Sequence, residues 1–438
     1  MESRQPIFQI KEQNFSGVTS LYRSSPHRTY VVEVELKKRI RGDMLQEAVD
    51  QTLQRMPYFA DALTEKDGDF FYAVNPLPME VAETKQLRRV GGPETNWHCV
   101  DVTWWENVVS FSMFHAFCDG LGLNLFIESV IYHYFCIRDG KKYEANGIRA
   151  VGSPILPGEE TDPFAQTYPV AEGFSMPSFS AEYYHLPEID EKPMDRMLAM
   201  PLRIREDDFL KFVKENKGTP ATMLHILMAH AVQTVHPENE QMIGAMLPAS
   251  SRKLLGAENT FKNCVGALRL PYRREEMDKL SLPEQTQRAR EILRESKNPD
   301  MARFLANRLG GAVRKVGAVM HTYAERQAVL DFSAKSHFNT YMIDYVGSLN
   351  AGEYASEIVK TRYLATQLDR YSNTMIIYLS ATAGFFHLEV VRGFESSVYC
   401  DAFVEQLVKH GITFERDAET SYITPQNGLI EGLGLIRR

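Results

Sequence analysis

The sequence predicts a mixed α/β chain made of two halves with a similar order of strands and helices. Three observations carry this. Stretches of period-two alternation, which mark strands packed on one face, are interleaved with stretches of helical spacing. The run 139–180 is rich in Gly, Pro, Ser and acidic residues, lacks periodicity, and reads as a long connection. Beyond it, strands and helices resume in the same mix. The expected organisation is a first half over 1–180, with 139–180 as its linker-like end, and a second half over 181–438. The 438 residues suffice for two or three domains of ordinary size, and 44% apolar with 24% charged residues is close to the globular average.

Taken in order, residues 30–40 alternate: Val32, Val34 and Leu36 face one way, Glu33, Glu35 and Lys37 the other, as in a half-buried strand. Asp43 opens a helix with Gln46 as the reciprocal partner of a capping box, and Pro57 stops it. A short strand at 70–74 precedes two antiparallel strands, 97–105 and 108–114, joined by a tight turn at Glu106-Asn107. The helix over 120–136 has Leu123, Phe126, Ile127, Val130 and Tyr134 on one side. In the second half, 196–204 is a strand and 207–216 a helix. Thr219-Pro220 starts a helix running to about Val235. Strands follow at 242–247 and at 265–270, the latter ended by Pro271. Helices occupy 283–296 and 301–324, strands 338–345, 375–381 and 385–391, and a last helix 400–409. From Asp417 on, the chain reads as a loosely docked tail.

Composition narrows the function. A formal charge of −8 argues against nucleic-acid binding, which wants a basic footprint. The first residues are polar and do not form a secretory signal, and no apolar stretch reads as long enough to span a bilayer. Five scattered cysteines without a Cys-x-x-Cys fit reduced thiols, hence a cytoplasmic protein, and offer no zinc pattern. His225 and His230 are five apart on one helix, a poor spacing for a shared metal, so no metal is expected.

The chemistry concentrates at Val108–Gly122. Val109, Phe111 and Met113 share a strand face with His115, which stands at the strand end; Asp119 and Gly120 follow in a tight turn. A histidine at the end of a rigid strand is well placed as a catalytic base. His115-Ala-Phe-Cys-Asp119-Gly120 is a His-x-x-x-Asp-Gly motif at a strand-to-helix junction. With it, the chain resembles the chloramphenicol acetyltransferase-like superfamily. That superfamily takes in free-standing CoA-dependent acyltransferases, plant acyltransferases of the BAHD type, alcohol acetyltransferases and peptide-synthetase condensation domains. The resemblance covers nearly the whole chain and includes Leu247-Pro-Ala-Ser-Ser-Arg252, Asn263-Cys-Val-Gly266 and Asp344-Tyr-Val-Gly347. Two departures matter. Phe114 stands where condensation domains carry a first histidine, and the Asp-Phe-Gly-Trp-Gly motif of the plant branch is absent. Both point to a stand-alone alcohol-acyltransferase-like member, and neither excludes a carrier-protein donor.

The resemblance implies two chloramphenicol acetyltransferase-like domains, each a mostly antiparallel sheet flanked by helices, with the site in a tunnel between them. It implies acyl transfer from acyl-CoA, or acyl-phosphopantetheine on an acyl carrier protein, to a hydroxyl or amine of a small acceptor. The thioester is a co-substrate, no bound cofactor is needed, and a monomer is adequate because both halves lie in one chain. His115 is the implied general base; direct attack leaves no covalent enzyme intermediate, so Cys118 is not a nucleophile. Asp119 is implied to be structural, with Arg252 its candidate partner. Gly120 serves the turn geometry and Asn263 a bridging loop. Thr340 and Tyr345 are candidate oxyanion or substrate contacts, with strand packing an equal reading for both. A catalytically silent homologue that binds a ligand or protein is the alternative from another class.

Overall fold

Three sheets carry the fold in the computed structural model, which describes residues 5–22, 29–175, 183–187, 194, 196–334, 339–365 and 375–423. A small sheet joins β1 (Gln9–Gln13), β4 (Asp69–Val74) and β3 (Ala62–Lys66). A five-stranded sheet has the order β12 (Ile358–Ala365), β2 (Thr29–Leu36), β7 (Val108–Phe114), β6 (Val100–Trp105), β5 (Ala82–Glu83). An eight-stranded sheet runs β10 (Val265–Tyr272), β9 (Ile243–Ser250), β11 (Tyr341–Gly347), β13 (Met375–Thr382), β14 (Phe385–Arg392), β8 (Arg196–Arg205), β15 (Phe414–Arg416). In it β11 is parallel to both neighbours, and β16 (Thr420–Ile423) adds to β8. The two larger sheets are mostly antiparallel and flanked by helices, as the fold class requires.

The boundary expected at 180 does not coincide with a boundary between sheets. β12 comes from the second half yet pairs along its length with β2 of the first. β2, a central strand between β12 and β7, is buried on both faces rather than half-buried. Its Glu33 is 7% exposed and accepts from Arg362 at 3.1 Å, while Arg362 also donates to Glu389 of β14 at 2.6 and 3.0 Å. Burial pushes the Glu33 carboxyl up and Arg362 opposes it. A buried carboxylate is tolerated because a cation pairs with it.

Other differences have local causes. The Gly42–Arg55 helix has no capping box; Gln46 instead accepts from Val81 N at 2.9 Å and donates to Met79 O at 3.0 Å. β10 continues through Pro271, because an edge strand loses no ladder bond to a proline. The expected 301–324 helix is two, Pro299–Val319 and Tyr323–Ala334. The expected tail contributes β16, and its residues beyond 423 lie outside the described residues. The connecting run is anchored as far as it is described. Glu159 accepts from Arg55 at 2.6 and 3.0 Å and from Tyr58 at 2.7 Å, and Asp162 accepts from the backbone of Phe15 and Ser16.

The Gly120–Asp139 helix is, by length and composition, apolar enough to cross a membrane, contrary to the sequence expectation; 67% of that window is buried inside the protein. The Thr219 cap is as expected, with Thr222 completing a reciprocal capping box and the helix ending at Val235.

Candidate active site

β7 ends at Phe114, whose N–H is held by Cys99 O at 2.9 Å, and the chain turns at once, Phe117 N donating back to Phe114 O at 2.9 Å. His115 sits in this turn, half-buried, its ring edge-on to Tyr30 with centroids 5.6 Å apart. Tyr30 is fixed on β2 opposite Met113 of β7. The turn is clamped from outside: Asn14 Nδ2 donates to Ala116 O at 2.9 Å. Gly17 packs so closely that a Cβ there would lie 2.3 Å from the same carbonyl oxygen.

Asp119 caps the following helix, accepting from Gly122 N at 2.8 Å. It is 1% exposed and receives Arg252 in a two-pronged ion pair, Nη2 to Oδ1 at 2.7 Å and Nη1 to Oδ2 at 2.9 Å. Cys264 N adds a further bond to Oδ2 at 2.9 Å. Arg252 is itself held by the carbonyls of Thr260 and Lys262, both at 3.0 Å. The carboxylate points at this cluster and does not orient His115, so the arrangement differs from a Ser-His-Asp triad. Beside it, Gly122 lets the second half approach: a Cβ there would fall 1.9 Å from Phe261 O. A Cβ on Gly120 would lie 3.0 Å from the Tyr30 hydroxyl.

Asn263 bridges the halves, donating to Ser16 O at 3.1 Å and accepting from Val265 N at 3.0 Å. Burial, then the Asp119 charge, raises the Cys118 thiol well above its ordinary value. It is a neutral thiol against Met113 Sδ at 2.8 Å. His225 lies in the core beside the Tyr341 hydroxyl, 3.0 Å away, and burial holds its pKa down at about 3.

A cavity of about 380 Å³ lies between the halves. The first half contributes Thr19, Ser20, Tyr30, His115, Asp119 and Gly120; the second contributes residues of β9, β10 and β11, with Asn263 and Tyr378. Of the two oxyanion or substrate candidates, Tyr345 lines the cavity and is 46% exposed. Thr340 does not line it: its hydroxyl accepts from Gly244 N at 3.0 Å and its N–H donates to Gly244 O at 2.7 Å, which is strand packing. Sequence reasoning passed over Arg269 and Asp344 as cavity residues. The alternation of β10 and β11 carried that information, but which face met the first half did not follow from it.

No family model matches the chain, and no curated protein matches it in sequence. Solved structures do match over almost their full length. TRI3 trichothecene 15-O-acetyltransferase from Fusarium sporotrichioides superimposes with a TM-score of 0.57 at 11% identity, over 94% of this chain and 99% of that one. F. graminearum TRI101 complexed with coenzyme A and T-2 mycotoxin gives 0.57 at 9% identity, over 92% and 97%. The epimerization domain of the third module of tyrocidine synthetase B gives 0.55 at 11% identity, over 93% and 98%. The chain thus shares the fold of these two acetyltransferases and of this epimerization domain. At these identities the likeness is one of fold.

Proposed function

We propose that this protein transfers an acyl group from a thioester, acyl-CoA in the first instance, to a hydroxyl or amine of a small acceptor. The observation that carries the reading is His115, fixed at the end of β7 and facing the cavity between the halves. In the proposed step a ring nitrogen of His115 takes the proton from the acceptor as its oxygen or nitrogen attacks the thioester carbon. The tetrahedral intermediate collapses with loss of thiolate, which receives the proton from the imidazolium. No residue is acylated, in keeping with the neutral, buried Cys118. Base catalysis of this kind contributes roughly 10²–10⁴ in rate. Asp119 and Arg252 keep the turn in shape. The fold shared with an O-acetyltransferase and with a protein seen bound to coenzyme A supports this reading of substrate class.

The test is thiol release from a panel of acyl-CoA thioesters by wild type and His115→Ala. Wild type is expected to release CoA from at least one chain length, and the variant at most about a hundredth as fast. Release by an acylated carrier protein and not by acyl-CoA selects the carrier-bound donor. Equal rates for wild type and variant, or no release from either donor class, overturn the proposal.

A further inference from the structure

The helices behind the eight-stranded sheet hold an opening of their own. Ala245 of β9 and Ile343 of β11 join Leu224 of the Pro220–Val235 helix and Ala289 of the Leu282–Ser296 helix in one apolar core. Their chain neighbours Met246 and Asp344 line the cavity at His115. Successive strand residues point to opposite faces, so the two helices pack on the face turned away from that cavity. A cleft of about 520 Å³ lies among these helices, and none of its lining residues lines the cavity at His115.

Four cations line the cleft: Lys217, Arg290, Arg294 and Lys297. Arg290 and Arg294 are four positions apart, Arg294 and Lys297 three, so the three stand on one helix face. Lys217 joins them from the turn after the Glu206–Glu215 helix; Thr286 donates to Asn216 O and ties that turn to the start of the Leu282–Ser296 helix. Among the described residues none of the four makes a side-chain hydrogen bond or an ion pair. The one carboxylate lining the cleft, Glu291, is answered along its own helix by Gln287 at 3.1 Å and Arg288 at 4.0 Å. Four cations against one carboxylate leave a surplus of three positive charges, in a chain whose formal charge is −8. Like charges at these helical spacings repel, and a concave wall concentrates their field, so a bound anion relieves the arrangement. The guanidinium fork matches phosphate oxygens. One phosphate group carries about 1.5 to 2 negative charges near neutral pH, so two answer the surplus. The volume falls within the roughly 300–1,000 Å³ of small-molecule pockets, and half-buried Leu293 adds an apolar wall for an organic remainder.

We infer that this cleft binds a small organic molecule carrying a pyrophosphate, a group that nucleoside diphosphates and coenzyme A share. The inference does not rest on the proposed acyl transfer, because binding is read without turnover. Sodium pyrophosphate, ADP, coenzyme A and adenosine are titrated calorimetrically into full-length wild type, Arg290→Gln, Arg294→Gln and Arg308→Gln. Arg308, on the Pro299–Val319 helix, is exposed and lines neither opening, so its variant changes net charge alone. Pyrophosphate is expected to bind wild type saturably and to be displaced by ADP or by coenzyme A, while adenosine does not displace it. Arg290→Gln and Arg294→Gln each weaken pyrophosphate binding about tenfold, the loss of one charge-assisted hydrogen bond, and Arg308→Gln leaves it unchanged. Without ligand, both cleft variants melt no lower than wild type, since each removes a like-charge contact. Displacement by ADP at lower concentration than coenzyme A assigns the cleft to a nucleotide; the reverse order assigns it to coenzyme A. No saturable pyrophosphate binding in the millimolar range overturns the proposal, as do equal losses in Arg290→Gln and Arg308→Gln, or displacement by neither ADP nor coenzyme A.

Discussion

Asp119 and Glu128 both reach from the Gly120–Asp139 helix region to the second half, and they are built in opposite ways. Asp119 is sealed from water, yet two guanidinium nitrogens and the N–H groups of Gly122 and Cys264 answer its charge. Glu128, on the third turn, accepts one backbone N–H, from Asn350 at 2.8 Å, and burial pushes its pKa up to about 7. The contrast separates two ways of joining the halves. The crossing at the His115 turn is compensated in charge and fixed in direction, which is what the proposed base requires. The crossing at Glu128 is a single backbone hydrogen bond to a carboxylate whose pKa burial raises.

The largest effect is expected from breaking the compensated crossing. Arg252→Met leaves the Asp119 charge buried and unpaired, which costs about 3–5 kcal/mol, and the displaced turn no longer aims His115. Chemical denaturation and thiol release both report it. Asp119→Asn in the same chain removes the orphaned charge, so the double variant is expected to recover part of the lost stability while activity stays low. A single variant as stable as wild type would show that the ion pair does not hold the turn.

The close approach behind that ion pair comes next. Gly122→Ala sets a methyl group 1.9 Å from Phe261 O, so the helix start and the 261–264 loop must part. Overpacking of this kind costs about 1–3 kcal/mol. Because Cys264 N then draws away from Asp119, activity is expected to fall more than the melting temperature suggests. An alanine variant with wild-type kinetics would mean the loop moves without disturbing the turn.

How much of this was legible in the sequence depended on where the partners lay. His115, Asp119 and Gly120 lie within six residues, so strand period, turn and helix cap could be read together. Arg252 is 133 positions from Asp119 and was reachable through the resemblance, since no local pattern joins them. β12 was missed although Val359, Thr361 and Tyr363 alternate, because Lys360 and Arg362 on its other face look solvated. Glu33 and Glu389, from two different sheets, neutralise Arg362. For Thr340 the two readings stayed open for a related reason: proximity to Tyr345 in sequence says nothing about facing, and it is strand packing that holds its hydroxyl, which accepts from Gly244 N. Local geometry was readable; the compensation of Arg362 by Glu33 and Glu389 was not.

The smallest effect concerns Glu128, and its sign separates the two crossings. Its folded pKa of about 7 stands above the ordinary 4.5, so the folded chain holds this proton more firmly than the unfolded chain does. Between those values the folded state binds more protons, and stability falls as pH rises; above about 7 the full penalty is present. The side chain is only half-buried, so solvent screening limits the effect to about 1 kcal/mol or less. Glu128→Gln keeps an acceptor for Asn350 N and removes the charge. Its melting temperature is therefore expected to exceed that of wild type at pH 8, to approach it at pH 5, and to vary less in between. Parallel profiles for the two proteins would place the carboxylate effectively in water and make the Asp119 crossing the sole charge-sensitive tie of the pair.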